Sequence, residues 1–321
     1  MAFSALGSPT MSDEPNRSGV VVVGSINMDL VVRAPHVPHP GETVLGRNFA
    51  TIPGGKGANQ AIAVARLGEP CTLIGRVGDD DFGERLLMHL RINRVDIKRV
   101  VVTEGVATGV ALIVVDESGE NAICVASGAN YKLTPHDLDA AEDAFRTARV
   151  CLLQLEVPVP TVLHAIQLCR RHATETILDP APAMANPPRG LFDADIVSPN
   201  AGEAELLTGE TLAAHAKEAK AVAAAFAQRG ARQVVLKLGS HGALVFDGAR
   251  FEQINGHRIQ PVDTTAAGDA FTGALAVGRA RGQTLFEAAR LANAAGAAAC
   301  SKFGAQPSMP GAADVERFLK P

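Results

Sequence analysis

An α/β fold built around a mainly parallel sheet, with a smaller antiparallel sheet beside it, is predicted by three observations. Short, continuous apolar runs recur along the chain and end at turn residues. Segments rich in alanine and leucine at helical spacing lie between them. Two regions break this alternation with period-two patterning. Strand–helix alternation demands crossover connections and so a parallel sheet covered by helices, whereas period-two stretches read as half-buried antiparallel strands.

The first apolar run, residues 19–23, ends at Gly24. Strands buried on both faces look like this. Runs at 71–74, 150–153, 176–178, 195–197 and 233–238 repeat the pattern, and residues 58–67, 161–169 and 212–228 carry the intervening helical spacing. The period-two stretches are 28–33 and 42–50, flanking a turn with Pro35, His36, Pro38, His39, Pro40 and Gly41, and 108–115 and 120–126, flanking Asp116-Glu117-Ser118-Gly119. Together they predict a small lid sheet, with strands from about 28–50 and 108–126, over a site at the ends of the main strands.

With 321 residues the chain has length for one large domain plus an appendage, and a chain of this size buries roughly three quarters of its unfolded surface without disulfide or metal staples. A net charge of −4, from 30 basic and 34 acidic residues, excludes a broad basic face for nucleic acid or anionic lipid. Cys71, Cys124, Cys151, Cys169 and Cys300 are odd in number and scattered, so unpaired thiols in a reducing compartment are expected. Residues 1–18 lack the basic start and apolar stretch of a secretory signal and read as a disordered leader to a domain spanning 19–321. No run approaches the ~18 apolar residues of a membrane span, and a cytoplasmic location is the default.

Five segments carry candidate chemistry. Ala266-Ala267-Gly268-Asp269 joins the extended Val262-Asp263-Thr264-Thr265 to a helix predicted over 270–280. Small residues at a loop-to-helix junction let N–H groups approach an anion. A carboxylate there repels a resting phosphate, so Asp269 reads as a base for an attacking hydroxyl or as a helix cap. Gly54-Gly55-Lys56-Gly57-Ala58-Asn59-Gln60 opens another helix; it lacks P-loop spacing, but its glycines permit close backbone approach to a ligand. Asn27 and Asp29 follow the first strand at the edge where ligands of open α/β sheets bind, and either clasp a polyol or form an Asx turn. Glu203, in Pro199-Asn200-Ala201-Gly202-Glu203, favours a helix N-terminus over 203–207 and is also placed to hold Mg²⁺ through water. Lys302 and Gly304-Ala305-Gln306-Pro307-Ser308 read only as a turn.

Taken in this order, the segments resemble the ribokinase (PfkB) family of carbohydrate kinases over nearly the whole chain, from about Val20 onward. GGKGANQ and D-T-x-A-A-G-D resemble its two signatures, and N-x-D with the ending GAQPS is similar to its ribose-phosphorylating members. The resemblance implies a three-layer α/β/α domain with a β-sheet lid, dimerising through the lids. It implies transfer of the γ-phosphate of ATP to the 5-hydroxyl of D-ribose. Asp269 would be the base, and Ala266, Ala267 and Gly268 the anion hole. Asn27, Asp29, Gly55, Lys56, Gly57, Asn59 and Glu156 would contact the sugar. Asn200, Glu203, Lys237, Leu238, Gly239, Ser240, His241, Gly242, Gly268 and Asn293 would serve the nucleotide, with Glu203 in the Mg²⁺ shell. Asp263, Thr265, Ala299, Lys302, Gly304 and Ser308 would surround a monovalent cation, K⁺ by preference.

Lys237 stands where the family more often has Thr, and Ala266 where Gly is frequent. Other acceptors compatible with the pattern are 2-deoxyribose, fructose, 2-keto-3-deoxygluconate and a nucleoside. The absence of Trp and the single tyrosine, Tyr131, disfavour a nucleoside base. A non-catalytic sugar-binding regulator would be expected to lack Asp269 or Gly268, and a dinucleotide-binding dehydrogenase would need a glycine fingerprint that is absent.

Overall fold

The structure, a computed structural model, describes residues 17–210 and 216–320. Its strands are β1 (Val20–Val23), β2 (Asn27–Arg33), β3 (Asn48–Gly54), β4 (Cys71–Gly78), β5 (Asp96–Thr103), β6 (Gly109–Val115), β7 (Asn121–Ala126), β8 (Val150–Leu153), β9 (Glu175–Leu178), β10 (Ile196–Val197), β11 (Gln233–Lys237), β12 (Ala243–Phe246) and β13 (Phe251–Ile254). Nine of them form one sheet in the order β13-β12-β11-β10-β9-β8-β1-β4-β5. Every pair from β11 across to β5 is parallel, and β12 and β13 add an antiparallel edge. β1 lies between β8 and β4, so the winding reverses there, and such a switch point opens a crevice at the carboxyl ends of the strands.

The run of valines in β1 shows why both faces of the sheet need cover. Val20 and Val22 belong to one apolar core, with the helices Lys56–Arg66, Asp81–Ile92, Ala267–Ala280 and Leu285–Ala299. Val21 and Val23 belong to the other, with Val159–His172, Ala201–Thr208 and Ala216–Gln228. The result is the three-layer α/β/α arrangement expected. Cys71, Cys151 and Cys169 are buried in these cores, Cys124 is exposed, and all five cysteines are free. No helix among the described residues is long and apolar enough to cross a membrane.

The remaining strands form the small sheet, in the order β3-β2-β6-β7. Its outer pairs are antiparallel, while β2 and β6 run parallel because a long crossover through β4 and β5 separates them. One predicted strand moves. Pairing starts at Asn48 opposite Arg33 and ends at Gly54 opposite Asn27, not over 42–50. Pro35, Pro38 and Pro40 lack N–H donors for a ladder, so the preceding loop stays unpaired. The predicted leader, residues 1–18, lies outside the described residues up to 16, but its last two residues are held. Arg17 Nη1 donates to the Ala173 carbonyl at 2.6 Å and Ser18 N to that of Thr147 at 3.1 Å. The helix predicted over 212–228 is described from Ala216, residues 211–215 lying outside the described residues.

Candidate active site

Chain ends at the carboxyl edge of the sheet supply nearly every polar group of the site. After β1 the backbone turns through Gly24, Ser25 and Ile26 into β2, which places Asn27 and Asp29 at the base of the small sheet, both buried. Asn27 Oδ1 accepts from Asn130 Nδ2 at 2.7 Å, and Asn130 Oδ1 accepts from the Ile26 N–H at 2.9 Å. Asn130 therefore clamps this turn; it sits beside the lone tyrosine, and no sequence signal distinguishes it. Gly55 has φ +88°, and a Cβ there would lie 2.6 Å from Asn27 N. A side chain at 55 would push the helix Lys56–Arg66 away from β2. Gly57 is buried against Gly24 and donates to Ser25 Oγ at 3.4 Å, so it reaches the site only through Ser25.

The carboxylate of Glu156, beyond β8, accepts from Ser25 Oγ and from Lys56 N at 3.1 Å. Burial raises the pKa of Asp29 to about 7, with the charges of Glu156 and Asp269 adding to the effect. Burial acts against the Lys56 ammonium, but Asp269, Asp179, Glu156 and Glu203 outweigh it and hold its pKa above the usual lysine range. The predicted sugar contacts Asp29, Lys56, Asn59 and Glu156 thus share one electrostatic neighbourhood with Asp269.

Asp269 lies in the first turn of the helix Ala267–Ala280, which begins three residues before the predicted start. Ala266 at its N-cap has φ +59°, a left-handed conformation unusual without glycine. Ala267 N donates to the Thr264 carbonyl at 3.2 Å, while the N–H groups of Gly268 and Asp269 precede Ala270 N, the first donor to a helix carbonyl, and are helix-start donors. Of the three predicted anion-hole residues, Ala267 is therefore engaged in the turn. The Asp269 side chain does not cap its helix. Its Oδ2 accepts from Asn59 Nδ2 at 2.9 Å and its Oδ1 from Gln60 Nε2 at 3.1 Å. Burial raises its pKa; Lys56 opposes this, Asp179 adds to it, and the bonds from Asn59 and Gln60 oppose it. A buried carboxyl with a raised pKa at a helix start is suited to accepting a proton.

A second buried charge cluster, outside the predicted set except for Lys237, backs this residue. Asp179 follows β9 and is 1% exposed. Its Oδ1 accepts from Lys237 Nζ at 2.8 Å, and its Oδ2 from Gln60 Nε2 at 3.0 Å and Thr272 Oγ1 at 3.2 Å. Gln60 Oε1 accepts from Gln154 Nε2 at 2.6 Å. Asp179 was findable, since it ends a predicted strand at the edge where sites form.

Among the residues predicted to serve the nucleotide, Asn200 and Glu203 form a reciprocal capping box. Asn200 N donates to Glu203 Oε2 and Glu203 N to Asn200 Oδ1, both at 2.8 Å. The helix they open is Ala201–Thr208, longer than predicted. Gly239, Ser240 and His241 make an exposed turn closed by the bond from Leu238 N to the Gly242 carbonyl at 2.8 Å. A Cβ on Gly242 would meet the Ile254 carbonyl at 2.0 Å. Asn293 donates to the Asn255 carbonyl at 2.9 Å, which fixes its amide beside that turn. In the extended segment before the helix Ala267–Ala280, Asp263 accepts from the N–H groups of Thr265 and Gly304, both at 2.9 Å. Burial works against its charge, but these donors and Arg33 lower its pKa. Lys302 turns away to Asp314 at 3.1 Å, Ala299 and Ser308 are buried, and Ser308 Oγ donates to the Ala305 carbonyl at 2.7 Å. No cluster of three or more His, Cys, Asp or Glu able to hold a metal occurs among the described residues.

The pfkB family carbohydrate kinase pattern matches residues 17–312. The chain is 39% identical over 301 residues to the ribokinase of Bacillus subtilis (strain 168), covering 94% of this chain and 99% of that one. It is 34% identical over 261 residues to the deoxyribokinase of Salmonella typhi, covering 80% and 84%. Among solved structures, that of Arabidopsis thaliana ribokinase complexed with ribose and ATP matches with a TM-score of 0.87 at 34% identity, over 95% of this chain and 99% of that one. A match across this much of the chain, on a fold whose site is built from the two signature segments, settles the family: the chain belongs to the pfkB family of carbohydrate kinases.

Proposed function

We propose that this protein is an ATP-dependent kinase that transfers the γ-phosphate to the 5-hydroxyl of D-ribose, giving ribose 5-phosphate and ADP. The observation that carries the reading is Asp269, a buried carboxyl held by Asn59 and Gln60 at a helix start and facing Asp29 and Lys56. Asp269 takes the hydroxyl proton as the sugar oxygen attacks the γ-phosphorus. The bond to ADP breaks in line, and the N–H groups at the helix start, with that of Ala266, take up the charge on the phosphoryl oxygens. Asn59 Oδ1 is buried without a hydrogen-bond partner; a sugar hydroxyl satisfies such an acceptor. The names of the related ribokinases support ribose, and that of the deoxyribokinase keeps 2-deoxyribose as the second reading. ATP-dependent turnover across ribose, 2-deoxyribose, fructose and adenosine is the test. A higher kcat/KM for any of the other three overturns the assignment to ribose.

Mg²⁺ enters with ATP, as an ion that keeps several waters and takes few protein ligands, and no all-protein cage occurs among the described residues. Glu203 Oε2 is held by Asn200, and the half-exposed carboxylate keeps its other oxygen for a water of the Mg²⁺ shell. Asp263 and the turn between the helices Leu285–Ala299 and Ala305–Ser308, joined by the bond from Gly304 N to Asp263, are where K⁺ would be held. Turnover is expected to be slow in Na⁺-only buffer and to rise with added K⁺; a flat titration removes the cation site.

Ile123 and Val125, apolar and exposed on one face of the small sheet, favour a homodimer built through the lids, in a cytoplasmic enzyme with free thiols. Ile123→Asp is expected to give a monomer in sedimentation velocity. A wild type that sediments as a monomer at micromolar concentration overturns this.

A further inference from the structure

The ion pair behind the base has no part in the reading above, which it presupposes in taking Asp269 as the base. We propose that Lys237 and Asp179 act as one neutral positioning unit that fixes Gln60, and through it Asp269, in the geometry for proton abstraction.

The bonds leave Gln60 no freedom. One proton of its amide nitrogen goes to Asp179 and the other to Asp269, while its oxygen accepts from Gln154. Rotating the amide would set its oxygen against two carboxylates. Asp179 is itself fixed by donors from Lys237 and Gln60, and the single hydroxyl proton of Thr272 is shared between Asp179 and the Gly268 carbonyl. The same pair reaches the catalytic helix directly. Lys237 Nζ lies 3.5 Å from Thr272 Oγ1, which lies 3.0 Å from the Gly268 carbonyl. A Cβ added at Gly268 would stand 3.7 Å from that ammonium. A shift of the pair therefore moves both the orienting amide and the first turn of the anion-binding helix.

Charge balance explains why both members are needed. The helix Lys56–Arg66 presents Lys56, Asn59 and Gln60 to Asp269; Asp29 faces it from β2 and Asp179 from beyond β9. Lys237, at the end of β11, neutralises Asp179 at 2.8 Å. Glu156 and Glu203 act on the same neighbourhood through Lys56. Removing Lys237 alone leaves the Asp179 charge uncompensated beside the base. Removing the Asp179 charge alone leaves a buried ammonium there instead. Breaking one side of a buried pair is far worse than replacing both.

The test is a double-mutant cycle read as pH–rate profiles. K237M is expected to move the acid limb of kcat, read at saturating ribose and ATP so that the titration of Asp29 in the empty site does not enter, to higher pH, because the unbalanced carboxylate favours protonated Asp269. D179N is expected to move it to lower pH. Each is expected to lower kcat by about tenfold or more, with smaller changes in KM for sugar and ATP. In K237M/D179N the limb returns to its wild-type position and kcat recovers above that of K237M. Limbs that stay in place, limbs that move together, or losses that simply multiply in the double variant overturn the proposal. Should K237M fail to fold, D179N and the double variant still give the opposite shift and its reversal. An inactive Asp269→Asn with unmoved K237M and D179N limbs sinks this inference alone, whereas an active Asp269→Asn sinks the base assignment beneath it.

Discussion

Asp269→Asn is expected to lower kcat by about 10²–10⁴-fold, the usual contribution of a general base, while ribose still binds with nearly native affinity. The substitution keeps the shape of the side chain but leaves it unable to take the proton. Its amide nitrogen would face one of two donors, Asn59 Nδ2 or Gln60 Nε2, so one hydrogen bond is lost. That loss is offset because a buried charge, disfavoured by its surroundings, has gone. Thermal stability should therefore be close to native, which separates a chemical defect from misfolding. Calorimetric ribose binding beside single-turnover phosphoryl transfer makes the comparison, and near-native turnover would falsify the base assignment. In the wild type, activity should fall on the acid side as Asp269 becomes protonated. The limb should lie above the pH of an ordinary aspartate, since burial raises its pKa.

The fold was legible because the apolar runs are short, continuous and bounded by turns, and β1 fills both cores with alternate valines. The lid was legible in outline only. Period two shows on both sides of the Pro-rich loop, but pairing is decided by backbone donors, which moved the strand to Asn48–Gly54. The candidate site divides in the same way. Asn27, Asp29, Lys56 and Asp269 sit in the first residues of a strand or helix, at junctions that sequence marks with glycines and strand ends. Gln60, Gln154, Asp179 and Thr272 sit inside predicted elements or just past them, and only tertiary contact reveals that they meet. Lys237 is the instructive case. Within Lys237-Leu238-Gly239-Ser240-His241-Gly242 it was grouped with the nucleotide loop, yet its side chain is buried and pairs inward with Asp179, while Gly239, Ser240 and His241 are exposed.

Asp29→Asn is expected to weaken ribose binding by about 10–150-fold, the worth of a hydrogen bond to a charged group, and at the same time to stabilise the unliganded protein above neutral pH. The carboxyl titrates at about 7 in the folded chain against 3.8 in its ordinary state. Between these values the folded state holds a proton that the unfolded state has released. Stability therefore falls as pH rises through that window, the reverse of a salt-bridged carboxylate. Above about pH 7 the folded protein carries the ionised group at a cost on the order of 4 kcal/mol, taken from that difference at 1.36 kcal/mol per pH unit. Asparagine removes this cost, so the Tm of the variant should exceed that of wild type at about pH 8 and converge toward it at about pH 5. Ribose reverses the preference. Its hydroxyls donate to the ionised carboxylate, so wild-type affinity should rise with pH through about 7, with proton release on binding. Calorimetry in buffers of differing ionisation enthalpy measures that proton directly. Zero release at pH 6.5 to 7 would show that ribose leaves the protonation of Asp29 unchanged, and a variant less stable than wild type at pH 8 would show that the ionised carboxylate carries no cost in the empty site.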